Sequence, residues 1–527
     1  MHDSRPPRAA HAAPRNPWVA WMALGLMVAG AVPRLAHYAG GRPLWLDESM
    51  LASNLLERSV GGLFEPLAYH QVAPPLYLLS MKLAMALLGT TVYAVRLPSI
   101  LAGLLTLPLF WLVARRLASP LGALLGLAFL AVSQHLIYYA AECKPYGPDA
   151  LFTVLLLGLA LWAEAKAPSA WRTGLLGLAG ALAVWYSYPA VFVLAGVGAV
   201  QIGCAALDRD WRRVGHWVVA YGVSAVSLLV HYTVVMIAVR APGVTMSYMS
   251  DYWKHGFMPF PPRSWFQLRW FRERTFLFFD MPGGFTLTGL AFFVWLCGAI
   301  ALWTRHRRHC LAAMAPLAAV LLASGLRCYP FHGRMTLFLA PLIFLLAGQG
   351  VALLAGNARA KTLAIALVLM TLLIAQPLVR AARMAVAPSR HHELDRVLEH
   401  ARQQWQTGDL LYLNHSDGVA YHFMAKRFRF PQASVCIEAP EEEVEPDVDK
   451  RIARGWPRFH GHGRLWYAAT YDSEPAIDPI LEALGRHGSQ FDLYRARGAA
   501  VAGYALTDPV PHGKSRRTLP QTGAKSR

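Results

Sequence analysis

Four short clusters hold the residue types that could do chemistry. PLWLDES at 43–49 presents the adjacent carboxylates Asp47 and Glu48, and HQVAPPLYLL places His70 ahead of Pro74 and Pro75. YYAAECKPYG at 138–147 sets Glu142 and Lys144 among Tyr138, Tyr139 and Tyr146, and FHGRMTLFLAP at 331–341 offers His332 and Arg334. A hydroxyl is a poor nucleophile near neutral pH, and a carboxylate within hydrogen-bond reach can take its proton as the oxygen attacks. Asp47 is the candidate for that base. Developing negative charge is stabilised by cations or a metal in a water-poor site, and Lys144, Arg334 and His70 are candidates for that role. Glu142 could hold an acceptor, orient Lys144, or share a divalent metal ion with Asp47. The expected set is therefore Asp47 and Glu142 in catalysis, and Glu48, His70, Lys144, Tyr146 and Arg334 in substrate binding.

Each of these residues also has an ordinary reading. Adjacent carboxylates in a loop are usually surface charge. Arg334 and Arg96 could anchor helix ends by reaching to headgroups, Lys144 could simply pair with Glu142, and His70 could cap a proline-led helix. Tyr138, Tyr139 and Tyr146 suit an interfacial aromatic belt as well as a sugar site. His460 and His462 in FHGHG lack the further ligands a metal needs. Cys143 and Cys328 fall on one side and could pair, but the six cysteines show no CxxC or zinc spacing.

The elements that must position these residues are membrane helices. Of 527 residues, 55% are apolar and only 15% charged, against about 45–50% and 25% in soluble domains. The net charge of +19 is spread in ones, twos and threes between apolar stretches, which excludes the concentrated patch nucleic acid requires. A span needs about 20 mostly apolar residues. That ruler gives about eleven, near 18–35, 92–113, 121–138, 148–165, 173–186, 190–207, 214–239, 284–303, 311–326, 336–354 and 363–378. Pro75–Leu88 is apolar but short and carries Lys82. If it stays on one side, Arg115/Arg116, Lys166/Arg172, Arg209/Arg212/Arg213, Arg305/Arg307/Arg308 and Arg359/Lys361 all fall inside, as the positive-inside rule requires. It is therefore read as a juxtamembrane helix, and all four clusters then lie outside. The parts are a cytoplasmic tail (1–17), a transmembrane domain (18–385) with outer loops 36–91 and 240–283, an outer domain (388–510) and a disordered tail (511–527). The outer domain alternates strand-like runs at 410–416, 433–439 and 464–470 with amphipathic helices at 391–406 and 476–487, which suggests a small α/β fold.

The motifs in order resemble those of a known superfamily. DE in the first outer loop, H-x3-PPLYLL from His70, RLPS at Arg96–Ser99, YxxExxxY around Glu142 and R-x6-P at Arg334–Pro341 are similar to the GT-C membrane glycosyltransferases. The nearest groups are the protein O-mannosyltransferase, aminoarabinose transferase and rhizobial lipid A glycosyltransferase families. The resemblance covers roughly the first 380 residues, and YMSDYWKHGFMPFPP at 248–262 is similar to the large outer loop of bacterial members. It implies an α-helical polytopic GT-C fold, a polyprenyl-phosphate-linked sugar donor and a cell-envelope acceptor (lipid, glycan or protein). It also implies transfer with inversion on the periplasmic face of a bacterial inner membrane, by a hexosyl- or pentosyltransferase. The second acidic position, often Asp in the family, is Glu142 here, followed by CKPY in place of ARMY, which implies that the phosphate contact passes to Lys144. A membrane transporter or polyprenyl-lipid flippase is the alternative class. Such proteins gather ionisable residues near the bilayer midplane, whereas these gather at one face.

Overall fold

In the computed structural model of the chain, serine, threonine, aspartate and proline punctuate the apolar runs and set where helices begin. The structure describes residues 17–165, 168–237, 251–356, 359–387, 392–439, 447–459, 461–471 and 477–506. The chain divides into two units at Ser389/Arg390. In order, the helical unit contains α1 (Pro17–Ala39), α2 (Leu46–Glu57), α3 (Pro75–Leu88), α4 (Val92–Leu117), α5 (Pro120–Val132), α6 (Gln134–Tyr139), α7 (Tyr146–Glu164), α8 (Ala170–Tyr186), α9 (Ala190–Leu207) and α10 (Trp211–His231). It continues with α11 (Trp265–Asp280), α12 (Thr288–Arg305), α13 (Arg307–Gly325), a 3-10 turn at Gly333–Leu339, α14 (Ala340–Ala355) and α15 (Ala360–Val386). Among the described residues, 9 helices are long and apolar enough to cross a membrane.

Two of the spans expected from the sequence differ from that ruler. The run at 121–138 breaks because the Ser133 hydroxyl accepts from the Leu136 amide and caps a new helix, leaving α5 and the short α6. The run at 173–186 becomes α8, whose 17 residues give roughly 26 Å at 1.5 Å per residue. α5 is buried along nearly its whole length, so protein rather than lipid surrounds it. Its free C-terminal carbonyls at Leu130 and Ala131 accept from the buried Arg34 guanidinium at 2.9 and 3.0 Å. Glycines let the central helices close on one another. A Cβ at Gly298 of α12 or Gly350 of α14 would overlap the carbonyl oxygen of Leu346 or Val294 respectively, the small-residue contact by which helices approach in membranes.

The placement of α3 decides the geometry of the site. Tyr93, at the start of α4, donates its hydroxyl to the carbonyl of Ala39 at the end of α1 (3.2 Å). The two spans therefore meet at one end of the bundle, and α2 and α3 begin and finish there. Lys82, midway along α3, donates to the carbonyls of Leu55 and Arg58 at the end of α2, which satisfies both the ammonium and the helix end. The long loop expected at 240–283 contains the helix α11. Its first residues, 240–250, lie outside the described ones.

The second unit is built on a five-stranded sheet of order β2-β1-β3-β5-β4. Its elements are α16 (Leu394–Gln403), β1 (Leu410–Leu413), α17 (His415–Phe428), β2 (Val435–Ile437), α18 (Val448–Gly455), β3 (Arg464–Thr470), α19 (Asp478–Gly485), β4 (Gly488–Ala496) and β5 (Ala499–Leu506). β1 pairs in parallel with β2 and β3, and β5 runs antiparallel between β3 and β4. Side chains alternate between two faces: Tyr412, Tyr467 and Tyr504 pack with Leu481 and Leu484, while Leu411, Trp466 and Val501 pack with Val397 and Leu398. The strand expected to run to Ser416 stops at Leu413, because Asn414 accepts from the Asp417 amide (2.7 Å) and opens α17. The β4–β5 hairpin was not expected. It turns at Arg497–Gly498, with Gly498 at a positive φ of 64°. The 511–527 tail and His460 lie outside the described residues, and His462 meets the Gly408 carbonyl at 2.8 Å.

Candidate active site

Asp47 stands in the first turn of α2, where an acidic side chain suits the helix N-terminus. Its Oδ2 lies 2.9 Å from Arg334 Nη2 and 4.0 Å from Lys144 Nζ. Two cations from distant parts of the chain thus converge on one carboxylate that remains partly open, at 24% side-chain exposure. Lys144 Nζ also donates to Gln71 Oε1 at 2.6 Å. Burial is the first influence on this ammonium and lowers its pKa, while Asp47 pulls it back up. The Arg334 guanidinium lies between aromatic rings, 5.8 Å from the Trp45 centroid, 5.7 Å from Tyr146 and 5.9 Å from Trp253. These are separations at which a ring face attracts a cation.

Glu48, the next residue, is turned the other way. It is fully buried, and Arg96 donates to both its oxygens, Nε to Oε1 at 2.9 Å and Nη2 to Oε2 at 2.7 Å. Arg42 approaches at 3.7 Å, and the Cys143 amide donates at 2.7 Å. Burial opposes the charge on Glu48, but Arg96 and Arg42 outweigh it and hold the carboxyl down at about 2. Arg42 in turn stacks on Tyr138 at 4.6 Å and donates to the Ala141 carbonyl. This buried network ties α2, α4 and the 140–145 loop together.

Glu142 has the opposite environment. Its Oε1 accepts from the Trp45 indole N–H at 3.0 Å, and its Oε2 is buried without a hydrogen-bond partner. Burial, then the nearby Glu48 charge, push its carboxyl up to about 7, against the pull of Arg42, Trp45 and Arg334. Arg334 Nε is likewise buried without a partner. Native proteins pair such atoms, so this cluster keeps one donor and one acceptor free of protein partners.

The expected residues thus fall into groups. Asp47, Lys144, Arg334 and Tyr146 surround one position, with Glu142 adjoining through Trp45. Glu48 is shut inside the protein with Arg96. His70 adopts a left-handed backbone with φ 52°, and it is the next residue, Gln71, whose side chain reaches Lys144. Trp45, Gln71, Arg42 and Trp253 were not singled out in the sequence, although Trp45 and Gln71 each adjoin a residue or motif that was. Asp149, one turn below Tyr146 on α7, is also buried, with Oδ1 unpartnered. Cys143 and Cys328 are both free, the first buried and the second exposed. No group of three or more His, Cys, Asp or Glu that could hold a metal occurs among the described residues. The donor set at Asp47, one carboxylate facing two cations, does not fit a divalent ion.

The helical unit has the GT-C fold. Residues 72–237 match the family model for dolichyl-phosphate-mannose-protein mannosyltransferase. Among solved structures, the chain is similar to ArnT from Cupriavidus metallidurans bound to undecaprenyl phosphate. That match has a TM-score of 0.56 and 16% identity, and covers 94% of this chain and 100% of that one. It is also similar to the archaeal oligosaccharyltransferase AglB from Archaeoglobus fulgidus, in complex with an inhibitory peptide and a dolichol-phosphate. There the TM-score is 0.52 and the identity 12%, with 93% of this chain and 75% of that one covered. At these identities the likeness is one of fold. No curated protein matches the chain.

Proposed function

We propose that this protein is a membrane glycosyltransferase that moves a sugar from a polyprenyl phosphate to an acceptor hydroxyl, with Asp47 as the base. The observation that carries the reading is the convergence of Lys144 and Arg334 on Asp47. Arg96 and Arg42 are fully buried and held by Glu48 and backbone carbonyls, so the cations open to a ligand beside Asp47 are Lys144 and Arg334. A phosphate monoanion or diester is the natural partner for these cations. The family match and the two lipid-phosphate complexes among the similar structures support the same donor chemistry.

The proposed reaction uses each of these groups. The donor phosphate draws Arg334 away from Asp47 and accepts a hydrogen bond from Arg334 Nε. Asp47, released, accepts the proton of the acceptor hydroxyl as that oxygen bonds to the anomeric carbon. The bond from that carbon to the phosphate oxygen breaks on the opposite face, which inverts the centre. The departing lipid phosphate keeps the electron pair, stabilised by Lys144 and Arg334. Glu142 Oε2 holds a hydroxyl of the acceptor or of the sugar, and Tyr146 and Trp253 wall the site. Glu48 acts by positioning, since it fixes the turn that carries Asp47. Charge neutralisation by Lys144 and Arg334 requires no metal. The arginines at the other end of the bundle support a cytoplasmic placement for that end and a periplasmic one for the site and the second unit, in a bacterial inner membrane.

The test is to reconstitute the full-length protein with a panel of polyprenyl-phosphate sugars and envelope extracts, alongside Asp47→Asn and Lys144→Gln. Release of free polyprenyl phosphate with a glycosylated product, lost in Asp47→Asn, is expected. Full transfer by Asp47→Asn would remove the base assignment, and lipid translocation without transfer would favour a flippase.

A further inference from the structure

The end of the bundle remote from Asp47 holds a second cationic site. α4 and α7 both start beside the Asp47 cluster, and their far ends meet the start of α10 and the α12–α13 turn around a cavity of about 630 Å3. Arg116, Arg213, Arg307 and Arg308 line it, with Glu164 as its one carboxylate. Glu164 is already engaged by the Gln201 side chain at 3.2 Å. Arg308 is paired with Asp208 and Arg213 with Asp210. Arg116 and Arg307 have no carboxylate partner among the described residues, and the Arg307 guanidinium rests over the Trp303 ring at 5.7 Å. His309, also in the lining, keeps Nδ1 buried and unpartnered. α13 begins at Arg307, so the partial positive charge of its N-terminus lies at the helix end that supplies Arg307 and Arg308 to the lining.

Arginines at the inner ends of spans are expected from topology alone. Topology does not require them to converge from three separate helix ends around one cavity, against a single acidic side chain among the described residues. We infer that this cavity is a binding site for a phosphate-bearing anion, distinct from the Asp47 site. Guanidinium forks match phosphate oxygens two at a time, and the helix N-terminus adds partial charge of the right sign. Four arginines against one carboxylate among the described lining residues favour an anion over a zwitterionic headgroup. The anion could arrive as the headgroup of an acidic phospholipid or as a soluble diphosphate.

The experiment uses the full-length protein, the double variant Arg116→Gln/Arg307→Gln, and a control, Arg212→Gln/Arg305→Gln. The control removes the same charge from the same end without touching the cavity lining. Native mass spectrometry counts phosphatidylglycerol retained from nanodiscs of phosphatidylcholine with or without it, and calorimetry in a zwitterionic detergent titrates inorganic pyrophosphate. Arg116 and Arg307 are exposed at the cavity mouth, so the substitutions leave the helix packing in place. Binding at least ~10-fold weaker in the cavity variant, with the control unchanged, is expected from the loss of charge-assisted hydrogen bonds. Selective loss of phosphatidylglycerol identifies a lipid ligand, and selective loss of pyrophosphate identifies a soluble one. Equal losses in both variants, or no binding of either anion by the wild type, would overturn the inference.

Discussion

Asp47 Oδ2 lies 2.9 Å from Arg334 Nη2, joining the first loop of the helical unit to the turn that opens α14. A carboxylate intended as a base is here held by a cation intended for phosphate. On the proposed reading the pair is a resting arrangement that the donor dissolves, which makes donor binding and base release a single event.

Asp47→Asn removes the base and the internal competitor together. Transfer falls by ~10^2–10^4-fold, the usual contribution of a positioned base. Affinity for polyprenyl phosphate stays the same or rises, because Arg334 no longer has a carboxylate to leave. Turnover measured beside equilibrium lipid binding separates the two effects. Weaker lipid binding with turnover intact would assign Asp47 to holding Arg334 instead.

Glu142 gives the fold a pH dependence of defined sign. Burial and then the Glu48 charge raise its carboxyl from 4.5 to about 7. Between those values the native state holds a proton that the unfolded chain has released. Stability therefore falls as pH rises through that window and levels off above it. Glu142→Gln has no proton to lose, so its thermal midpoint in detergent exceeds that of wild type at pH 8, and the gap closes towards pH 5. Glu48 contributes a constant background over this range, since its stabilisation is lost only as pH falls towards about 2. A gap that does not change with pH would show that Glu142 is ionised throughout.

What the sequence made legible was chemistry by residue type, and what it hid was pairing. Asp47, Glu142, Lys144 and Arg334 stood out because charge is rare in an oily chain. The Glu48–Arg96 contact did not, because no local spacing links an α2 residue to one on α4. Gln71 and Trp45 are neutral, so a search for acids and cations passed over both, even though one holds Lys144 and the other Glu142. The apolar period marked helices well but not their breaks, and Ser133 lies unremarked inside LAVSQHLIYY. The β4–β5 hairpin escaped for a related reason: β5 reads AAVAGYAL, and alanine and glycine carry little strand preference.

Glu48→Gln tests whether that residue positions the loop or touches substrate. It strands Arg96 and Arg42 inside the protein without their carboxylate, and breaking a buried pair from one side costs about 3–5 kcal/mol. A clear drop in thermal midpoint and in folded yield is expected, with partial recovery when Arg96→Met removes the charge left behind. An unchanged midpoint with lost transfer would return Glu48 to substrate binding.

Gln71 reads out the state of Lys144. Lys144→Gln weakens donor binding by ~10–100-fold, the value of a hydrogen bond to a charged group, and Lys144→Arg restores part of it. Gln71→Leu leaves the lysine in place but removes the oxygen that accepts from Nζ at 2.6 Å. Burial already lowers the Lys144 pKa, and loss of that acceptor lowers it further. The ammonium is then lost at a lower pH as the solution is made alkaline. Binding of polyprenyl phosphate, followed from pH 7 to 10 where the phosphate's own charge is constant, should fall off earlier in Gln71→Leu than in wild type. Coincident profiles would mean that Lys144 does not meet the phosphate, and the cationic role would rest on Arg334 alone.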